Sequence, residues 1–333
     1  MTGTRIGPIA LTMGEPAGIG GEIALKAWVG RHDHAVPPFF LIDQPSRLER
    51  LGPSVPLKAI ANPVEALEVF STALPVLPVD LPVAVEPGRP DPANGGAVIA
   101  AIDRAVALVQ AGEAAAVVTN PIQKSALYQA GFRHPGHTEY LAHLAGLPED
   151  GVVMMLAGGG LRVVPVTIHL ALKDAVAALT TEAIIHAGRV TAQALRTDFG
   201  IAHPRLAVAA LNPHAGESGT MGREEIDIIA PAVITLMAEG IDATGPKPAD
   251  TLFHATARAG YDAVLCMYHD QALIPLKTID FDTGVNVTLG LPFVRTSPDH
   301  GTALDIAGTG RASSSSLIAA LIMAADVAAC RGA

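Results

Sequence analysis

Apolar strand patterns and amphipathic helical patterns alternate along almost the whole chain. Short apolar runs, each followed within a few residues by Gly, Pro, Asn, Asp or His, predict buried strands. These runs are residues 9–12, 39–42, 115–119, 152–156, 163–168, 206–211 and 263–267. Helical periodicity predicts helices at 20–29, 95–111, 138–145, 181–199, 223–239 and 315–330. The alternation predicts an α/β fold with a mostly parallel sheet.

Composition agrees with this fold class. The chain has 333 residues, enough for about two domains. Hydrophobic residues make up 50% of it and aromatic residues only 4%, so the interior must be built mainly from aliphatic side chains, as in buried parallel strands. The segment 53–92 holds many of the 26 prolines, which predicts extended edge segments and turns there.

Charge and cysteine content restrict the partners and the compartment. The net charge of -10 would repel a polyanionic backbone, so we expect no nucleic-acid partner. We find no apolar stretch near the ~18–20 residues that a spanning helix needs and no export signal, so we expect no membrane partner. The two cysteines, Cys266 and Cys330, form no disulfide framework. A reduced, cytoplasmic setting is therefore expected.

Three histidines stand at equivalent places in three strand units. His169, His214 and His269 each follow a predicted buried strand. If these strands are neighbours in a parallel sheet, the three imidazoles emerge at one edge and can hold a catalytic divalent metal with an open coordination position. The alternative for any single histidine is a backbone hydrogen bond that caps its strand. The repeated placement favours the metal.

Several polar residues are candidates for binding an anionic substrate. His137 and Thr138 precede a helical pattern, with Thr138 predicted as its N-cap, and exposed amides beside an imidazole suit a phosphate or carboxylate. Lys277, Asn286 and Arg295 lie along a later, largely apolar tract. Such cations bind oxyanions, although solvated surface cations on an edge strand are an alternative.

Asp250 has two interpretations. Its carboxylate can orient Lys277 or a substrate amine, or it can be the N-cap of the short helix that follows it.

A late glycine-rich loop is the candidate cofactor site. The early segment 13–22 does not match the dinucleotide fingerprint G-x-G-x-x-G. The segment 299–310 contains small-residue turns whose backbone can approach a ligand closely. A surface turn with no ligand is the alternative.

Taken together, the motifs resemble the 4-hydroxythreonine-4-phosphate dehydrogenase family over essentially the whole chain. The matching stretches are MGEPAGIG at 13–20, GHTE at 136–139, VMMLA at 153–157, LNPHAGE at 211–217, MGREEID at 221–227, ADTLF at 249–253, MYHDQ at 267–271, GVN at 284–286 and DHGTA at 299–303. The resemblance implies the two-domain architecture of isocitrate and isopropylmalate dehydrogenases, with an active site in the cleft between the domains. We expect residues 1–128 with 297–333 to form the first domain and residues 129–296 the second.

The resemblance also implies roles for individual residues. His169, His214 and His269 match metal ligands, the metal being zinc, cobalt or magnesium. His137, Thr138, Lys277, Asn286 and Arg295 match substrate contacts. The loop that includes His300, Gly301, Thr302, Ala303 and Asp305 would receive the adenosine half of NAD or NADP. Beyond the resemblance, we expect Lys277 to transfer the proton or to stabilise the alkoxide, with support from Asp250.

The implied activity is oxidation of 4-phosphohydroxy-L-threonine to a β-keto acid that decarboxylates to 3-amino-2-oxopropyl phosphate. Relatives that oxidise a phosphorylated sugar acid or a cyclic diol dicarboxylate are alternatives, as is a phosphate acetyltransferase-like enzyme without metal. The family looks like a homodimer with a shared active site. We therefore expect at least one metal histidine to come from the partner subunit.

Overall fold

The computed structural model describes residues 7–332. Within them the strands are β1 (Ile9–Thr12), β2 (Phe39–Asp43), β3 (Leu57–Ala59), β4 (Leu74–Pro78), β5 (Val117–Thr119), β6 (Val153–Gly158), β7 (Leu161–Pro165), β8 (Arg205–Ala209), β9 (Asp242–Lys247), β10 (Ala263–Cys266), β11 (Val285–Leu289) and β12 (Arg295–Pro298). The helices are α1 (Gly20–Val29), α2 (Pro45–Leu51), α3 (Ala66–Val69), α4 (Gly95–Gln110), α5 (Lys124–Gln129), α6 (His137–Leu144), α7 (Leu172–Ala178), α8 (Thr181–Thr197), α9 (Ala230–Ala238), α10 (Ala255–Arg258), α11 (His269–Ile279) and α12 (Ser315–Arg331). The predicted α/β class with a mostly parallel sheet is confirmed.

The first compact unit runs to Gly151 and resumes at Leu291. Its strands lie in the order β3-β4-β2-β1-β5-β12, and the neighbouring pairs are parallel. β1 and β2 are buried along their whole length, as a parallel sheet covered on both faces requires. α4 packs against β1, and α12 packs against β12. The loops that follow β1 and β5 therefore leave the same edge of this sheet.

The second unit comprises Val152–Gly290. Its strand order is β11-β6-β7-β10-β8-β9. β7, β10, β8 and β9 run parallel, whereas β6 is antiparallel to both β7 and β11. The β6–β7 hairpin turns at Gly159 and Gly160, whose positive φ angles of 55° and 75° are readily adopted only by glycine. β6 is therefore the strand of this unit that runs antiparallel to its neighbours.

The boundaries between the compact units lie after Gly151 and before Leu291. The expected domain boundaries lay after residue 128 and before residue 297. Segment 129–151 belongs to the first unit because α6 packs against α4, where the Tyr140 hydroxyl donates to the Asp103 carboxylate. Arg295 also belongs there, since β12 pairs with β5. Both assignments depend on tertiary contacts that hydrophobic periodicity does not reveal.

Some helices and strands have their predicted bounds, and others do not. α1 has the predicted bounds. The helix predicted at 223–239 begins instead with a π-helical turn, Glu225–Ile229. The proline-rich segment contains two parallel strands, β3 and β4, and the short helix α3 as well as turns. α11 was not predicted, and Pro275 lies inside it.

One described segment, Pro92–Gln110, is long and apolar enough to span a membrane by length and composition alone. The expectation that no stretch approaches this length was therefore wrong. The segment contains α4, whose residues Ala97, Val98, Ala101 and Ile102 are buried in the first unit. A core helix meets the same criteria, so the segment is weak evidence for a membrane.

Candidate functional site

The three strand-end histidines follow neighbouring strands of the second unit. β10 pairs in parallel with β7 on one side and with β8 on the other. His169, His269 and His214 follow β7, β10 and β8, respectively. Carboxyl ends of parallel strands meet at one edge of a sheet, where α/β proteins bind their ligands. The strand order therefore allows the three histidines to lie at one edge of the sheet.

Two of these imidazoles lie close together. The ring centroids of His169 and His269 are 5.8 Å apart. His269 is the first residue of α11, and its Nδ1 lies 2.7 Å from the Asp270 carboxylate. A carboxylate on one ring nitrogen selects which nitrogen remains available for a metal, as in many histidine metal sites.

His214 sits in a left-handed turn. Residues 214–218 all have positive φ, including His214 at 53° and Glu217 at 42°. This conformation is costly for residues other than glycine and persists only where the surroundings enforce it. Buried Glu225 does so by accepting the backbone N–H groups of Leu211 and Asn212 at 2.9 and 2.7 Å. The π-helical turn thus positions the segment that carries His214.

Among residues 7–332, no three His, Cys, Asp or Glu side chains are grouped closely enough to hold a metal ion. The pair of imidazoles nevertheless fits a borderline-soft divalent ion such as zinc or cobalt better than magnesium, which prefers oxygen ligands. Within one chain, His169 and His269 would supply two donors to such an ion, and a catalytic site of this kind would need a further ligand.

The other second-unit candidates lie on segments that pack together. Asp250 is exposed in a short turn, Ala249–Thr251, whose N-cap is Pro248, so the helix-capping interpretation of Asp250 is not what the structure shows. Leu252 and Leu276 belong to one buried cluster, which joins the segments of Asp250 and Lys277.

Lys277 and Asn286 are both half-buried. The Lys277 ammonium lies 5.6 Å from the Phe281 ring centroid. Asn286 is in β11, opposite Leu156 of β6. Neither residue is therefore a freely solvated surface group.

The start of α6 is the candidate site for an anion in the first unit. Gly136 is the N-cap, so the prediction that Thr138 caps this helix was wrong. His137 and Thr138 are the first two residues inside α6. The first N–H groups of a helix have no partner within it and carry the positive end of the helix dipole. They therefore offer donors to a phosphate or carboxylate.

Arg295 lies at the start of β12 and is only 4% exposed, so the surface-cation alternative does not describe it. Its Nη2 donates to Thr119 Oγ1 at 2.7 Å. Burial lowers the pKa of Arg295 to about 10, and the nearby Glu139 carboxylate opposes that shift. Arg295 therefore stays charged at neutral pH.

Lys124 is a candidate that the sequence reasoning missed. Its side chain approaches Gly136, where an added Cβ would lie 3.6 Å from Lys124 Nζ. It stands at the start of α5, shortly after β5 ends. The strand-end argument used for the histidines would have found it.

His137 is held neutral by its surroundings. Burial, reinforced by the positive charges of Arg295 and Lys124, keeps the pKa of His137 well below its usual value of 6.5. The unfolded chain therefore binds more protons than the folded protein as the pH falls below 6.5, and the His137 contribution to folding stability declines there.

We expect wild-type protein to lose more stability than His137→Gln between about pH 7.5 and about pH 5.5, because glutamine does not titrate. Urea unfolding at both pH values measures the difference. His32→Gln, at an exposed histidine of the same unit, is the control. Equal losses in wild type and His137→Gln would contradict a neutral His137.

The glycine-rich loop 299–310 has an open backbone. An added Cβ at Gly301 or Gly310 would meet nothing within 4 Å, and Asp305 is exposed. Thr302 is bonded to the N-cap of α1, since its carbonyl accepts the Ile19 N–H at 3.1 Å. His300 Nδ1 lies 3.0 Å from the Gly301 carbonyl. Accessible backbone beside an exposed carboxylate fits a dinucleotide, whose phosphates and ribose hydroxyls take such partners.

Comparisons with known proteins agree with one another. A family model described as pyridoxal phosphate biosynthetic protein PdxA matches residues 38–324. The chain is 57% identical over 329 residues to a 4-hydroxythreonine-4-phosphate dehydrogenase of Caulobacter vibrioides, covering 98% of each chain. It is similar to the crystal structure of the Klebsiella pneumoniae 4-hydroxythreonine-4-phosphate dehydrogenase at 40% identity and a TM-score of 0.86, covering 97% of this chain and 99% of that one.

A relative with another substrate is also similar. A terephthalate 1,2-cis-dihydrodiol dehydrogenase of Burkholderia xenovorans shares 32% identity with a TM-score of 0.66, covering 97% of this chain and 98% of that one. The agreement in fold therefore extends across enzymes that oxidise different alcohols.

Proposed function

The chain belongs to the pyridoxal phosphate biosynthetic protein PdxA family, and on that premise we propose that it oxidises 4-phosphohydroxy-L-threonine with NAD or NADP. The observation that carries this proposal is 57% identity, over 98% of the chain, to a relative named for that reaction. The dinucleotide, when bound, would accept hydride from the substrate carbon, and a base on the protein would take the hydroxyl proton. The resulting β-keto acid loses carbon dioxide to give 3-amino-2-oxopropyl phosphate.

A dehydrogenase of this family implies a divalent metal as well as the dinucleotide. His169 and His269 would hold the metal, with His214 as the further ligand. A divalent ion bound there polarises substrate oxygen atoms as a Lewis acid. The imidazole donors favour zinc or cobalt over magnesium.

Lys277 is the residue to which we assign proton transfer. A half-buried lysine side chain beside a substrate hydroxyl can exchange a proton with it. Asp250 would orient it, because their two segments share a buried cluster. Asn286 would donate a hydrogen bond that orients the substrate.

The first unit would hold the anionic ends of the substrate. The buried Arg295 guanidinium offers a bidentate contact to an oxyanion, and the first amides of α6, including that of Thr138, add donors. Neutral His137 contributes a hydrogen bond without charge, and Lys124 adds a second cation. Loop 299–310, with His300, Gly301, Thr302, Ala303 and Asp305, would bind the dinucleotide.

Comparing substrates tests the proposed activity. Formation of reduced nicotinamide is measured with 4-phosphohydroxy-L-threonine, with 4-phosphothreonate or 4-phosphoerythronate, and with a cis-dihydrodiol dicarboxylate. The highest kcat/KM is expected for the first. The similarity to a dihydrodiol dehydrogenase makes the last compound the relevant competitor, and preference for it would overturn the assignment. Absence of any reduced nicotinamide would overturn the dehydrogenase assignment, and a metal assay on the purified protein would then test the acetyltransferase-like alternative, which uses no metal.

The active protein would be a cytoplasmic homodimer with a shared active site. Support for sharing comes from the histidines, since one chain brings His169 and His269 together without a third ligand among the described residues. Exposed apolar residues of the second unit, such as Ile234 (66%) and Met237 (58%) on α9, supply surface that a partner copy could cover. The free cysteines Cys266 and Cys330 are consistent with a reducing compartment.

Subunit mixing distinguishes the sources of the ligands. In a dimer where His214 serves the partner's site, a heterodimer of His169→Ala and His214→Ala keeps one intact site. Random exchange should therefore restore about a quarter of wild-type activity.

The matched control is a mixture of His169→Ala with His269→Ala. These two rings lie together in one chain, so no heterodimer site is intact and no activity should return. Recovery in the control but not in the first mixture would show that His169 and His269 serve different sites.

A further inference from the structure

Two charged side chains of α1 hold the end of the glycine-rich loop. The Glu22 carboxylate accepts the backbone N–H of Gly308 at 3.2 Å and that of Ala312 at 3.3 Å. The Lys26 ammonium donates to the carbonyls of Gly310 at 2.8 Å and Ala312 at 2.5 Å. Four bonds from one helical turn thus reach the segment 308–312, which we call the loop strap.

The two side chains also pair with each other. Lys26 Nζ lies 3.2 Å from Glu22 Oε1, one helical turn away. Glu22 is only 7% exposed, so its carboxylate requires partners inside the protein, and the strap supplies them. Glutamate and lysine are therefore complementary here, because one accepts from the loop N–H groups while the other donates to the loop carbonyls.

The packing around the strap leaves a space on one side. A cavity of about 370 Å³ adjoins the strap, lined by Leu25, Val29 and Val55 as well as by Gly308 and Gly310. Glycines have no side chain with which to fill such a space. The hydrogen bonds and the ion pair therefore hold the strap on the side where packing leaves a space.

The opposite end of the loop is held by the start of the same helix. The Ile19 N–H donates to the Thr302 carbonyl at 3.1 Å. An added Cβ at Gly18 would lie 2.9 Å from that carbonyl, so the close approach requires glycine. α1 and its N-cap thus fix both ends of a loop whose middle includes the exposed Asp305.

We propose that Glu22 and Lys26 are positioning residues for the dinucleotide, which set its affinity by holding loop 299–310 in its binding conformation. The proposal rests on the assignment of this loop to NAD or NADP. Both residues would act through the loop that they hold. Their loss should weaken dinucleotide binding without slowing the bound enzyme, since a loop that must be ordered on binding lowers affinity.

The test uses Lys26→Met, which keeps most of the side-chain length and removes the ammonium. Titration with NADH and NADPH gives Kd directly, and steady-state kinetics give the KM of each substrate. We expect Kd and KM for the dinucleotide to rise about tenfold, as loss of bonds to a charged group implies. The KM for 4-phosphohydroxy-L-threonine and kcat at saturating dinucleotide should change by less than about twofold.

Two further variants keep the test decisive. Lys26→Arg restores a cation and should recover most of the affinity, whereas Glu22→Gln should behave like Lys26→Met. Glu68→Ala, at an exposed carboxylate of α3, is the control for a charge change in the same unit. A lower melting temperature with unchanged dinucleotide Kd would overturn the positioning role, as would an equal rise in the KM of both substrates.

The binding titration separates this proposal from the proposed function. If wild-type protein binds dinucleotide but does not oxidise 4-phosphohydroxy-L-threonine, the substrate assignment fails, while the Kd values of the variants still decide the role of the strap. If wild-type protein binds neither dinucleotide, the loop assignment and the positioning role are both overturned.

Discussion

His269→Ala should lose its bound metal and at least about a thousandfold in kcat/KM. Lewis-acid stabilisation of a transition state contributes several kcal/mol, and each 1.36 kcal/mol is about tenfold in rate. The fold should survive, because His269 is the first residue of α11, where alanine is readily accommodated. Metal content per chain by elemental analysis, together with kcat/KM and the melting temperature, measures the three expectations.

A control separates ligand loss from the loss of any imidazole. His203→Ala removes an exposed histidine of the same unit and should keep both metal and activity. Full metal content with normal turnover in His269→Ala would mean that His269 is not a ligand. His269 is the histidine best tested alone, since His169 and His214 both have positive φ, which is strained for alanine.

Arg295→Lys is expected to raise the KM for the phosphorylated substrate by about 10- to 100-fold. An ammonium cannot reproduce the bidentate contact of a guanidinium with an oxyanion, and bonds to charged groups contribute about 1.5–3 kcal/mol. The KM for the dinucleotide should stay close to wild type if Arg295 binds the substrate. Steady-state kinetics with each substrate varied in turn measure this difference.

Stability must be followed in the same experiment because Arg295 is buried and donates to Thr119. Arg104→Lys, at an exposed position of α4, is the matched substitution and should leave both KM values unchanged. If Arg295→Lys lowers the melting temperature but leaves the substrate KM unchanged, Arg295 stabilises the fold and does not bind the substrate.

Much of the architecture was predictable from local pattern. The buried strands β1, β2, β8 and β10 begin and end within two residues of the predicted bounds, because a strand buried on both faces must be apolar throughout. β4 was less accessible to this reasoning, since proline is disfavoured in strand interiors and β4 contains Pro75 and Pro78.

The candidate site likewise has features that the local sequence pattern predicts and features that it does not. The strand-end placement of His169, His214 and His269 was visible in the sequence because it depends only on where an apolar run stops. The 5.8 Å approach of His169 to His269 depends on which strands are neighbours, and the left-handed turn at His214 depends on Glu225. Neither follows from periodicity.

The sequence by itself determined the fold class, the strand-end histidines and the family resemblance, because hydrophobic period and short motifs are properties of neighbouring residues. Only the tertiary structure decided that Arg295 is buried beside Thr119, that His137 is neutral, and that Glu22 fastens loop 299–310. Burial and charge pairing are set by residues distant in the chain. Their effects on affinity and pKa therefore appear only when the elements are packed together.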